Sequence, residues 1–143
     1  MDARSEQEMQ LSSGIAAFET KYFAQSMQLL SPLADQGEAE AQYRMAIMLQ
    51  NGLGMVKNEA KALYYMQKAA EQNHALGLHG LGFMYLEGEG VKKDYLKAAD
   101  FFRQAADQGL AGSLTTLASM YEQGLGVAQD LDEAQRLYKR AGF

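Results

Sequence analysis

The chain has 143 residues, 48% of them apolar and 22% charged, which suits one domain with a core of its own and not a disordered segment. It has no cysteine, which excludes disulfides, thiolate metal sites and a cysteine nucleophile. With 13 basic and 18 acidic residues the formal charge is −5, and no basic stripe of the kind that holds nucleic acid is visible.

Residues 1–38 read as a variant helix pair. Met9 to Glu19 predicts a first helix, a short turn falls near Thr20 and Lys21, and Ser26, Leu29, Leu30 and Ala34 give the buried stripe of a second. Pro32 is the chain's only proline and its strongest punctuation after the glycines.

From Ala39 onward the chain repeats every 36 residues, without a gap. Gly52, Gly88 and Gly124 fall in register, as do Gly54, Gly90 and Gly126, Met48, Met84 and Met120, Ala62, Ala98 and Ala134, and Ala69, Ala105 and Ala141. The units run 39–74, 75–110 and 111–143, the last slightly truncated; with 1–38 they predict one domain of four antiparallel helix pairs.

Each unit divides into two helices. Ala41, Met45, Met48 and Leu49 lie at i, i+4, i+7 and i+8, one face of a helix. Gly77, Leu81, Met84 and Tyr85 repeat it, and so do Ser113, Leu117, Met120 and Tyr121. Paired glycines turn the chain, and Asn58, Asp94 and Asp130 stand where a side-chain oxygen caps the next helix. Glu133, three residues after Asp130, would complete a capping box. The second helices carry Ala62, Tyr65, Met66, Ala69 and Ala70, then Ala98, Phe101, Phe102, Ala105 and Ala106, then Ala134, Leu137, Tyr138 and Ala141. Gly37, Asn73 and Gly109 stop them, all residues that accept a left-handed C-cap.

Chemistry is sparse in this pattern. The glycine pairs follow helices and recur in every unit, so they read as turns and not as phosphate cradles. The two histidines, His74 at the start of a unit and His79 on the outer side of a helix, are too few for a metal site. Asp94 and Asp130 are accounted for as caps, and no nucleophile motif is present. Met45, Met48, Met66, Met84 and Met120 occupy core columns and read as packing. No catalytic residue, metal or cofactor is expected.

The strings LGFMYLEGEGVKKDYLKAADFFRQAADQG and LASMYEQGLGVAQDLDEAQRLYKRA resemble the Sel1-like repeat, a tetratricopeptide-like family. The likeness covers about Ala39 to Phe143, and Gly14 to Gly37 is closer to a tetratricopeptide unit. The resemblance implies an all-α, right-handed α-α superhelix acting as an adaptor or scaffold, in bacteria connected with signalling, envelope assembly, secretion and host contact. Some members have a disulfide in each repeat and are described as penicillin-binding or weakly β-lactamase active. This cysteine-free chain departs from that branch, so that activity is not carried over.

In such solenoids the first helices line the concave side. At ~100° per residue, Glu40, Tyr43 and Ile47 point away from the core of the first Sel1-like unit. Leu76, His79, Phe83 and Leu86 are their counterparts in the second, with Thr115 and Ser119 in the third. The second set is unexpectedly apolar. It is either the floor of a groove for a peptide or protein, or a surface packed against the next repeat. The expectation is therefore a non-enzymatic protein–protein interaction module binding on the concave face. A segment of a larger solenoid, or a chain self-associating weakly through uncapped ends, is the alternative; a β-lactam-binding or -hydrolysing repeat protein is a remoter one. A protein or peptide partner is expected, and neither nucleic acid nor membrane insertion. MDARSEQEMQ does not read as a signal peptide, and the compartment is left unknown: a soluble chain of the cytoplasm, or of the periplasm or outside if a leader was removed.

Overall fold

In the computed structural model, residues 2–143 are described and fold into eight α-helices with no strand among them. They form two compact units, Met1–Gln72 and Asn73–Phe143. No helix is long and apolar enough to cross a membrane among the described residues.

The first unit contains α1 (Ala3–Glu19), α2 (Phe23–Asp35), α3 (Ala39–Asn51) and α4 (Glu59–Glu71). Helix α1 starts six residues before the expected Met9, because the Asp2 carboxylate accepts the Ser5 N–H at 2.9 Å and caps a polar first turn. Its end falls where expected, with Lys21 at φ 68°. Helices α1 and α2 approach closely at Gly14, where a Cβ would collide with the Leu30 side chain and where the buried Ser26 hydroxyl donates to the Gly14 carbonyl at 2.8 Å. Pro32 does not punctuate: it lies inside α2 on an exposed face, where water can reach the backbone group it leaves unpaired.

The core of this unit is Leu30, Leu33 and Ala34 of α2, Ala41, Met45, Ala46 and Met48 of α3, and Ala62, Met66 and Ala69 of α4. Helix α3 buries more than its predicted stripe. Gln42 and Ala46 are also enclosed, since α2 covers α3 on one side and α4 on the other. Burial of Gln42 is tolerated because its amide donates to the Ala34 carbonyl at 3.1 Å and accepts from Gln72 at 2.9 Å.

The second unit contains α5 (Ala75–Glu87), α6 (Tyr95–Asp107), α7 (Ala111–Gln123) and α8 (Leu131–Arg140). Its core gathers Phe102, fully buried, with Ala98, Ala106, Leu114, Leu117 and Leu137 around it. Gly82 leaves room for the Phe102 ring, which a Cβ there would meet at 2.9 Å. All five methionines assigned to core columns are at most 5% exposed.

Caps follow the sequence reading closely. Asn58, Asp94 and Asp130 each accept the backbone N–H three residues on, at 3.0 Å. Gly52, Gly88 and Gly124 end the first helices at left-handed φ of 66–73°. Asn73 takes φ 61° in a position that Gly37 and Gly109 fill in the neighbouring repeats. The expected capping box at Asp130 is only half made. The Glu133 carboxylate turns to Arg136 at 2.7 Å, and the Asp130 N–H donates to the Tyr121 carbonyl.

The second glycine does more than turn the chain in two of the pairs. Gly54 lies against the start of α2, where a Cβ would be 2.7 Å from the Ala24 nitrogen. In the second unit a Cβ on Gly126 would strike the Tyr95 carbonyl at the start of α6. These loops are therefore seated on the preceding helix pair through bare backbone. Side-chain amides fasten the same junctions, Gln72 donating to the Gly37 carbonyl at 2.8 Å and Gln108 to the Asn73 carbonyl at 2.9 Å.

Candidate protein-interaction surface

In the first unit, Glu40, Tyr43 and Ile47 stand on α3 and all three are half-buried. The Glu40 carboxylate accepts from Arg44 at 2.9 Å, and the Arg44 guanidinium also reaches Glu19 at 3.6 Å and covers the Phe18 ring at 4.8 Å. Burial holds the Tyr43 phenol above its usual pKa. The stripe is amphipathic, with the Tyr43 ring and Ile47 beside an ion pair.

In the second unit, Leu76, His79, Phe83 and Leu86 run along α5. Leu76 is exposed, whereas the other three are half-buried. The Phe83 ring meets Phe102 edge-on at 4.9 Å and His79 at the same distance, while His79 meets Phe102 at 5.5 Å. Phe83 and Leu86 pack on the core cluster. The two readings of this stripe thus divide it, its inner edges serving the core and its outer edges, with Leu76, remaining accessible.

His79 is not on an outer face, contrary to the helical-wheel expectation. Its Nδ1 lies 2.6 Å from the Ser113 hydroxyl of α7, and its ring lies beside Gly112, where an added Cβ would meet it at 3.3 Å. Burial alone lowers its pKa below the ordinary value. The sequence carried a signal for this bond. Ser113 interrupts a column otherwise filled by Ala41 and Gly77, and a fully buried hydroxyl requires a partner. The pair is not a nucleophile with its base, because Ser113 is fully buried and no substrate reaches it.

Thr115 and Ser119 of α7 form a polar stripe beside it. Thr115 donates to the Gly112 carbonyl at 3.0 Å, and the Ser119 hydroxyl accepts from Gln123 at 2.8 Å. His74 caps α5, its Nδ1 accepting the Gly77 N–H at 3.0 Å. Among the described residues no group of three or more His, Asp or Glu is placed to hold a metal ion.

Three segments of the chain, 39–74, 75–110 and 113–142, match the Sel1 repeat. No curated protein sequence matches. Among solved structures, a protective antigen of uropathogenic Escherichia coli with an SLR fold is 32% identical over 94% of this chain, with a TM-score of 0.87. A Sel1 repeat protein from Oxalobacter formigenes is 30% identical over 92%, with a TM-score of 0.86. The chain spans only 30% and 54% of the lengths of these two proteins. The cysteine-rich protein B of Helicobacter pylori shares the fold at 24% identity and a TM-score of 0.64, over 81% of this chain and 83% of its own.

Proposed function

The chain belongs to the Sel1 repeat family, whose members typically mediate protein–protein interaction, and from that premise we propose that it is a non-enzymatic adaptor binding a peptide or protein segment on the face formed by the first helices of its repeats. The observation that carries this is the stripe on α5. Leu76 is exposed, and the edges of His79, Phe83 and Leu86 continue it along the helix. An accessible apolar stripe on rigid helices, bordered by the polar Thr115 and Ser119, has the composition of a binding surface. Tyr43 and Ile47, with the Glu40–Arg44 pair beside them, are the corresponding anchors of the first unit.

The test is capture of a partner from lysate of the source cell by wild type, Leu76→Ser and Ile47→Ala. Loss of one specific band in both variants, with helicity unchanged, supports the surface. Equal capture by all three moves the contact elsewhere. Self-association is the second reading, motivated by Phe143, which is 82% exposed beside Tyr138. Light scattering over a concentration series separates the two readings, since an adaptor of this kind keeps a constant mass.

A further inference from the structure

The second unit has another surface, away from the stripe on α5, where the loop after Gly88 meets α6. Tyr85 and Phe101 stack with centroids 5.6 Å apart and form the floor of a shallow hollow of about 470 Å³, bordered by Leu96, Lys97 and Asp100. Leu96 is 73% exposed although no packing within the chain requires a leucine there. A second hollow adjoins the first through Tyr85 and Lys97 and is lined by Val91, Lys92 and Lys93. The Lys97 ammonium lies 5.4 Å over Tyr85, and that of Lys93 lies 5.8 Å over Tyr95. Among the described residues none of these three lysines forms an ion pair. Two carboxylates line the hollows as well, Asp94 accepting the Lys97 N–H and Asp100 accepting from the Gln104 amide.

The same place in the other repeats is built differently. In the first Sel1-like repeat Lys57, the counterpart of Lys93, is neutralised by Glu59 at 3.4 Å, and Tyr95 stands at the position of that glutamate. In the third, Ala128, Gln129 and Glu133 replace the three lysines and Asp132 replaces Leu96. Neither the charge nor the exposed leucine is therefore a requirement of the repeat. We propose that this hollow is a docking site for an acidic peptide segment that carries one bulky apolar side chain. The side chain enters over the Tyr85–Phe101 stack beside Leu96, and the flanking carboxylates meet Lys92, Lys93 and Lys97. Charge complementarity selects this occupant: three ammonium groups outnumber the two carboxylates that line the hollows, on a chain whose formal charge of −5 repels a long polyanion such as nucleic acid. The hollow is concave and of side-chain size, so it suits a protruding anchor better than the flat surface of a membrane.

The residues of the third repeat give variants that the fold already accepts. Lys97→Glu places a glutamate three residues after the Asp94 cap, a favourable site in a first helical turn. The probe is a fluorescein-labelled hexapeptide, Asp-Glu-Phe-Glu-Asp-Glu, titrated by fluorescence polarisation against the full chain. Saturable binding is expected, weakened about tenfold or more by K92A/K93Q/K97E, by Leu96→Asp, and by replacing the probe's Phe with Ser. Leu76→Ser leaves it unchanged, which separates this site from the α5 stripe. Absence of saturable binding up to millimolar protein overturns the proposal, and so does equal binding by the triple variant. Equal binding of the Phe and Ser probes reduces the site to non-specific charge and also overturns it. Co-sedimentation with phosphatidylserine vesicles, without binding of the peptide, makes the surface a membrane contact instead.

Discussion

His79 on α5 and Ser113 on α7 are joined by a 2.6 Å hydrogen bond, 34 residues apart in the chain. The bond links consecutive repeats at a point where the ring also meets Phe83, Phe102 and Gly112. Because Ser113 is fully buried, removing its hydroxyl strands the imidazole nitrogen in a site with little water.

Ser113→Ala is expected to lower stability by about 1–2 kcal/mol. The same junction imposes a pH dependence. Burial depresses the pKa of folded His79, so the unfolded chain binds the proton more readily. Stability from the neutral imidazole is complete above the unfolded pKa near 6.5 and is lost as pH falls below it, toward the folded value. Urea midpoints at pH 7.5 and 5.5 should fall further apart for wild type than for His79→Gln. Equal spacing in the two proteins would remove His79 as the source.

Three glycines with left-handed φ separate backbone strain from close approach. An added methyl would meet nothing within 4 Å at Gly109, a slightly tight contact with the Gln129 side chain at 3.3 Å at Gly124, and the Tyr95 backbone at Gly126. Gly109→Ala should cost about 1–2 kcal/mol from conformation alone. Gly124→Ala should be close to it, and Gly126→Ala at least ~1 kcal/mol worse. Chemical denaturation of the three variants gives the order directly.

At the start of α8, Asp130→Ala removes a cap and should cost about 1 kcal/mol. Glu133→Ala removes only an exposed pairing with Arg136 and should move the midpoint by less than ~0.5 kcal/mol. A large effect of Glu133→Ala that Glu133→Gln does not share would mean that the reciprocal arm of the capping box forms in solution.

On α5, stability and binding should come apart by residue. Phe83→Ala strips a half-buried ring from Phe102 and should cost about 2 kcal/mol, less than a fully buried phenylalanine. Leu76→Ser should change stability by less than ~0.5 kcal/mol and weaken partner capture. Thermal melts run beside the capture assay test both.

The 36-residue period was enough to place the helices of the three Sel1-like repeats, their caps and most of the core. Glycine, alanine and methionine stand in register because the same packing position recurs. What escaped was tertiary. A helical wheel centred on Ala41 finds one buried direction, whereas α3 and α7 are covered from two sides, so Gln42, Ala46, Leu114 and Ala118 were missed. His79 was placed outside for the same reason. The second role of Gly126 depends on the Tyr95 carbonyl 31 residues away, which no local pattern encodes. Pro32 misled because its effect depends on which way the helix faces. The lysine hollow of the second repeat could have been found by comparing the columns for charge as well as for apolarity.

The hydrogen bonds that the Gln72 and Gln108 side-chain amides donate to the Gly37 and Asn73 carbonyls each span 35 residues, one repeat and no more. A chain fastened over such short intervals has a particular mechanical character. Pulled from its ends, it should yield one helix pair at a time, each rupture releasing a contour length of roughly 120 Å for a 36-residue repeat. Force spectroscopy would record it as a series of evenly spaced teeth, an extensible tether and not a rigid strut.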